Sequence, residues 1–320
     1  MFKKKSERIL VIKTDSLASF VAAEPAFDRI RRMHAGAQIS LLTNPALQRL
    51  AQASPYFDQV AALPPATEAQ IRKAFLARLR AEKFSLVYDL AANTDAKRAF
   101  SALGAIKPKI RSVSGTLRRK DGPSADEIER LFSAGDDVEP PRKPDFSWAL
   151  AARKDSANMR PGWFGVSGPF GLIFPSLDEK RRWSSAGYAA LAKTMSQNNV
   201  MPILVGGRSL HSFGDEIAHN APEIVDLTGK TDHLQLAALA RDACFFVTDG
   251  ADEADLAVTV GCRGVFLAGE KTPPTRLDPQ SIVVLTAPVT TEIRAEFVWR
   301  TLNNMGLLTD VPGAQAVASR

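Results

Sequence analysis

The stretch from Val225 to Gly269 constrains the fold most, because it dictates how strands of this chain are joined. Leu234, Leu236, Ala237, Leu239 and Ala240 recur at helical spacing, then Ala243 to Val247 form a compact apolar run stopped by Thr248-Asp249-Gly250. A second helix is expected from about Asp252 to Val260, ending at Gly261, whose missing β-carbon suits a left-handed cap. Gly264 to Leu267 then supplies the next strand. Strands joined through a helix run parallel, since a parallel pair needs a crossover connection. Open parallel sheets collect ligands at the carboxyl ends of their strands, where helix N-termini present free N–H groups, so Thr248 to Asp255 is the expected ligand loop.

The same alternation runs through the rest of the chain. Arg8 to Lys13 reads as a strand, Thr14 to Ser19 as a polar turn and Phe20 to His34 as a helix. Strands follow at Ala37–Thr43, Gln59–Leu63 and Phe84–Leu90, with an amphipathic helix at Glu68–Glu82. The second half repeats the pattern with strands at Phe170–Phe174, Pro202–Val205, Ile224–Leu227 and Val283–Leu285 and a helix at Ser185–Asn198. A chain of 320 residues exceeds one comfortable α/β core. The expected class is therefore α/β, with Rossmann-like domains at 1–155 and 156–288, a terminal helix at 289–308 and a disordered tail at 309–320. Gly115 to Pro144 reads as a mobile excursion around one helix, Ala125 to Phe132, and Arg153 to Ser167 as the linker.

Charge separates the halves. Residues 1–150 carry 25 Lys and Arg against 17 Asp and Glu, a net of +8, whereas 151–320 carry 16 against 18, a net of −2. The basic first half suits an anionic partner such as a phosphorylated lipid headgroup or nucleic acid, and from charge alone reads equally well as a solvated basic face. Nucleic acid is not expected, because the cations are not interleaved with aromatic stacking platforms. No apolar run approaches the roughly 18 residues of a membrane span, and Phe2-Lys3-Lys4-Lys5 leads straight into a strand, which places the chain in the cytoplasm. Cys244 and Cys262 read as reduced buried thiols, and with four scattered histidines they make no zinc site.

Several segments resemble glycosyltransferase family 9, the heptosyltransferase family. RILVIKTDSLASFVAAEPAF is similar to the family opening RILVIK-x-x-x-L-G-D-x-V-x-x-x-P-A. ISLLTNPALQRLAQASPYFDQV, FSLVYDLAANTDAKR, KRRWSSAGYAALA, PILVGG and VDLTGKTDHLQLAALARDA resemble further family segments in the right order. The resemblance implies the GT-B architecture, two Rossmann-like domains facing a central cleft. It also implies transfer of a sugar from a nucleotide sugar, ADP-heptose in the best-known members, to a lipopolysaccharide-core or related lipid-linked acceptor, with peripheral contact at the inner membrane face. No cofactor is required.

Such inverting transfer needs a base for the acceptor hydroxyl and donors for the departing diphosphate. The family's base is the aspartate of L-G-D, and the matching residues here are Leu17, Ala18 and Ser19. A serine hydroxyl cannot take that proton at cellular pH. Asp15 is the substitute candidate; its alternative role is a turn or N-cap carboxylate. The family segment N-D-S/T-G-P-x-H-L-A is also altered. Without a gap Asp249-Gly250 stands where N-D is expected, Asp252 replaces glycine, Glu253 proline and Asp255 histidine, while Thr248 precedes the segment; a one-residue insertion instead keeps Asp249 as the family aspartate. These carboxylates suit a helix N-terminus yet would repel a diphosphate, unless Mg²⁺ intervened, which is the weaker idea.

Arg181 matches the family lysine that reaches the leaving diphosphate, beside Arg182; the alternative is a solvated loop charge. Ser176, Thr228 and Lys230 are expected beside the nucleotide, and Gly206 and Gly207 either there or simply in a tight turn. Lys13, Asn93 and Arg98 are the candidate acceptor contacts. Two altered motifs keep a second class open, a catalytically silent relative acting as a binding or scaffold protein.

Overall fold

The computed structural model describes residues 7–91, 93–102, 108–113, 122–132, 142–151, 157–272 and 275–308. The expected tail at 309–320 and much of the expected excursion and linker lie outside the described residues. The chain divides into two compact units, Met1–Trp148 and Ala149–Arg320. Each is built around a parallel sheet, so the α/β class with two Rossmann-like domains holds.

The first sheet contains β1 (Arg8–Lys13), β2 (Gln38–Thr43), β3 (Gln59–Ala62), β4 (Leu86–Asp89) and β5 (Lys109–Ser112), in the order β3-β2-β1-β4-β5. Every pairing is parallel. In β1, Ile9, Leu10, Val11 and Ile12 are all at most 1 % exposed, because helices cover both faces of a central parallel strand. That explains why its sequence is a continuous apolar run rather than an alternation. The expected single helix at Phe20–His34 is two, Leu17–Ala22 and Glu24–Met33. Pro25 sits at the start of the second, where its missing N–H costs nothing. The excursion's expected helix runs over Ala125–Glu129, fixed by a capping box between Ser124 and Glu127.

The second sheet contains β6 (Phe170–Phe174), β7 (Met201–Leu204), β8 (Val225–Asp226), β9 (Phe245–Thr248), β10 (Gly264–Gly269) and β11 (Ile282–Ala287). Its order is β11-β10-β9-β6-β7-β8, again parallel throughout. Phe245, Val247, Val265 and Leu267 pack with Leu191, Met195 and Val298 in its core. The end of the expected linker is packed structure: Ala157–Met159 and Pro161–Phe164 are 3₁₀ turns, Met159 is buried, and Gln235 Nε2 donates to the Asn158 carbonyl at 3.1 Å. Neither cysteine is in a disulfide; Cys262 is buried and Cys244 half-buried. Among the described residues no helix is long and apolar enough to cross a membrane.

Strand order reverses between β1 and β4 in the first sheet and between β6 and β9 in the second. The loops leaving those strands are where an open parallel sheet forms its sites.

Candidate functional site

In the first unit, the loop after β1 is organised by Lys13. Its Nζ donates to Ser19 Oγ at 2.7 Å, to Asp15 Oδ2 at 3.0 Å and to the Leu90 carbonyl at 2.9 Å, with the lysine fully buried. One ammonium thus ties the loop after β1 to the loop after β4. Ser19 Oγ in turn donates to Asp15 Oδ2 at 2.9 Å. The Asp15 side chain is 4 % exposed, and its Oδ1 has no hydrogen-bond partner among the described residues.

The N-cap of the helix Leu17–Ala22 is Ser16, whose Oγ accepts from Ser19 N. The Asp15 carboxylate caps no helix, and its backbone carbonyl is held by Asn44 Nδ2 at 2.7 Å. Asn93 joins the same edge, donating to Thr14 Oγ1 at 3.0 Å and capping its own helix through Ala96 N. Arg98 lies apart, exposed and 3.7 Å from Asp95.

In sequence Gly122-Pro123 carries only a turn signal. Pro123 offers its carbonyl to Ser19 Oγ at 3.4 Å, and Gly122 has φ +68°. A β-carbon on Gly122 would stand 2.1 Å from Asp15 Oδ2 and 2.4 Å from Ser19 Oγ, so only glycine permits this approach. The Gly-Pro pair covers the carboxylate.

In the second unit, Asp249 crosses the corresponding reversal. Fully buried, it accepts from Ser176 N at 2.6 Å through Oδ1 and from Trp183 N at 2.5 Å through Oδ2. It therefore pins both ends of the loop after β6. Burial raises its carboxyl to about 6, although the two backbone N–H groups pull the other way. Thr248 closes its own turn, donating to the Phe174 carbonyl and accepting from Gly250 N and Ala251 N at 3.0 to 3.1 Å. Ser176 Oγ accepts from Asp178 N. These side chains build the loop from within.

The expected acidic helix start is the short helix Glu253–Thr259, and Asp252 makes no side-chain cap bond there. Burial raises the carboxyls of Glu253 and Asp255 to about 7 each. Among the described residues no three His, Cys, Asp or Glu side chains come together in a metal-binding group.

Of the basic candidates, Arg181 bonds Asp178 through Nε at 2.9 Å, leaving its terminal nitrogens without a bond among the described residues. Arg182 lies 4.1 Å over the Phe213 ring. Lys230 donates to the Asp226 carbonyl, and Thr228, buried, meets His211 Nδ1 at 3.0 Å. Gly206 accepts from Gly229 N at 2.8 Å, joining the loops after β7 and β8, while a β-carbon on Gly207 would meet Ser209 Oγ at 3.8 Å, an ordinary contact.

A profile of glycosyltransferase family 9 (heptosyltransferase) matches residues 116–283. Among solved structures, E. coli ADP-heptose lps heptosyltransferase II is 16% identical, over 94% of this chain and 99% of that one, with a TM-score of 0.71. The family 9 glycosyl transferase of Veillonella parvula is 15% identical, over 96% and 99%, with a TM-score of 0.73. E. coli heptosyltransferase WaaC with ADP is 14% identical, over 93% and 98%, with a TM-score of 0.69. At such identities the likeness is one of fold. No curated protein sequence matches.

Proposed function

The chain belongs to glycosyltransferase family 9, the heptosyltransferase family, and from that premise we propose that it transfers a sugar from a nucleoside-diphosphate donor to an acceptor hydroxyl with Asp15 as the base. The observation that carries this reading is the Asp15 carboxylate, held by Lys13 and Ser19 through Oδ2 while Oδ1 has no donor among the described residues. A buried carboxylate oxygen without a partner calls for a reason, and a substrate hydroxyl supplies one. The family's carboxylate at the Ser19 position is replaced by one that reaches Ser19 from four residues upstream.

In the proposed reaction the acceptor oxygen attacks the anomeric carbon as its proton passes to Asp15 Oδ1. The bond from that carbon to the diphosphate breaks with its electron pair leaving on the diphosphate, and the anomeric centre inverts. Lys13 orients Asp15 through its bond to Oδ2. In the second unit Arg181, whose terminal nitrogens have no bond among the described residues, is the candidate bidentate donor to the diphosphate of the nucleotide. The donor is ADP-heptose-like and the acceptor an anionic lipopolysaccharide-core or lipid-linked sugar. This rests on family membership and on the E. coli WaaC structures with ADP and with ADP-2-deoxy-2-fluoro heptose.

One observation favours a second reading, a silent relative that binds without transferring. Gly122-Pro123 lies directly on Asp15 and Ser19, the position an acceptor must occupy. Calorimetric titration with ADP and a transfer assay with ADP-heptose separate the two. Saturable ADP binding with turnover abolished by Asp15→Asn supports the enzyme; binding without turnover supports the silent relative; absence of binding at millimolar ADP overturns both.

A further inference from the structure

The segment Gly122–Phe132 lies over Asp15 and Ser19, and its two ends are held very differently. At the Gly-Pro end both residues are buried, yet little fastens them. A serine hydroxyl has one hydrogen to give. Ser19 Oγ lies 2.9 Å from Asp15 Oδ2 and 3.4 Å from the Pro123 carbonyl, so the carboxylate takes that hydrogen and the carbonyl is left with a weak contact. Gly122 has no side chain to add. This end rests on the carboxylate by close approach, with no strong hydrogen bond among the described residues.

The other end is fastened to the body of the unit. The helix Ala125–Glu129 has five residues, too few to persist by itself, and its capping box is local. What docks it is a cluster around Arg29 of the helix Glu24–Met33. Arg29 Nη1 pairs with Glu129 Oε1 at 2.5 Å, and its guanidinium lies 5.1 Å from the Phe132 ring centre. Phe132 in turn stacks on Tyr88 of β4, centroids 5.9 Å apart and planes 20° from parallel. Arg29, Ile128 and Phe132 are buried. A segment latched at one end and lightly seated at the other can lift from the seated end without breaking its strong contacts. Beneath that end lies Asp15 Oδ1, buried and without a partner among the described residues.

We propose that Gly122–Phe132 is an autoinhibitory lid, latched by the Arg29–Glu129 pair and the Phe132–Tyr88 stack, and that an acceptor hydroxyl reaches Asp15 only when the Gly-Pro end lifts. This rests on the reading of Asp15 as base and adds to it what controls access. A site blocked in its closed state has its apparent affinity lowered in proportion to the open fraction. The latch therefore sets the acceptor KM and leaves kcat alone.

Glu129→Gln keeps the shape of the pair and removes its charge, and Phe132→Leu removes the stack while keeping an apolar side chain. An ion pair and an aromatic stack together are worth about tenfold in the open fraction. With ADP-heptose as donor and deacylated, heptose-deficient lipopolysaccharide as acceptor, the double variant is expected to show an acceptor KM about tenfold lower at unchanged kcat and unchanged ADP affinity. Glu129→Gln alone moves KM the same way by about threefold. Hydrogen exchange supplies a readout that needs no turnover: amides of Ser16–Phe20, under the lid, exchange faster in both variants while those of β1 keep their protection. An acceptor KM unchanged or raised in both variants overturns the proposal. So does faster exchange within Ser124–Phe132 with none at Ser16–Phe20, which makes the segment packing alone. If no protein turns over while both stretches exchange faster in the variants, the transfer reading fails and the lid over Asp15 stands.

Discussion

Asp15 Oδ2 lies 2.9 Å from Ser19 Oγ, and Lys13 Nζ touches both atoms at 3.0 and 2.7 Å. On the proposed reading, Asp15 stands in for the carboxylate that the family resemblance implies at the serine position. If its role is positional, identity and location are exchangeable. Asp15→Asn keeps the shape and removes the base, so kcat is expected to fall on the order of 10²- to 10⁴-fold, with a lower melting temperature because the buried Lys13 loses its carboxylate. The exchange Asp15→Ser with Ser19→Asp is expected to recover most of that loss. A transfer assay on the three proteins decides, and a silent exchange variant beside an unaffected Asp15→Asn removes Asp15 from the chemistry.

Gly122 sets how closely the Gly-Pro segment rests on that carboxylate. Gly122→Ala adds a β-carbon 2.1 Å from Asp15 Oδ2 at a φ of +68°, a region alanine enters at a cost of about 1 kcal/mol or more. The segment must lift or the carboxylate must turn. A melting temperature lower by a few degrees is expected, with a changed KM for the acceptor. Wild-type stability and kinetics in this variant would mean that the contact constrains nothing.

The second unit should lose stability as pH rises from about 4 to about 7. Burial raises Asp249 to about 6, and Glu253 and Asp255 to about 7, all above their unfolded values. The folded chain then binds more protons than the unfolded chain in this window, so stability is full below the unfolded pKa values and declines through the folded ones. Melting followed from pH 5 to pH 8 is expected to show a falling midpoint, and Glu253→Gln with Asp255→Asn a flatter one. An identical slope in the double variant would assign the pH dependence elsewhere.

Much of this architecture is legible in the sequence, because central parallel strands such as Ile9–Ile12 and Phe245–Val247 must be apolar on both faces. Boundaries shifted where one side chain decides: Ser16, not a later residue, caps the first helix and starts it at Leu17. The candidate site was half legible. Asp15, Ser19, Lys13 and Asn93 do gather at the reversal between β1 and β4, as strand-end positions should. Gly122 was not, since its contact joins residues far apart in sequence and its Gly-Pro pair carries only a turn signal. Asp249 was singled out for a ligand, and sequence had no means of showing that its two oxygens are taken by Ser176 N and Trp183 N.

Asp249 supplies the last test because those two bonds make it a structural staple whatever the unit binds. Asp249→Asn keeps one acceptor oxygen and replaces the other with an amide that donates, so either Ser176 N or Trp183 N loses its partner inside the protein. A buried unsatisfied N–H costs about 1–3 kcal/mol, and the loop from Ser176 to Trp183, including Arg181, loses one of its two anchors. Urea unfolding is expected to show that loss, and hydrogen exchange to show faster opening of the loop amides. Arg181→Ala differs in kind: its side chain is surface-borne and, among the described residues, bonded only to Asp178 through Nε, so it should leave stability unchanged while weakening ADP binding. If Asp249→Asn weakens ADP binding with no loss of stability, the carboxylate faces the nucleotide rather than the loop, and its two backbone bonds are not what fixes that end of the sheet.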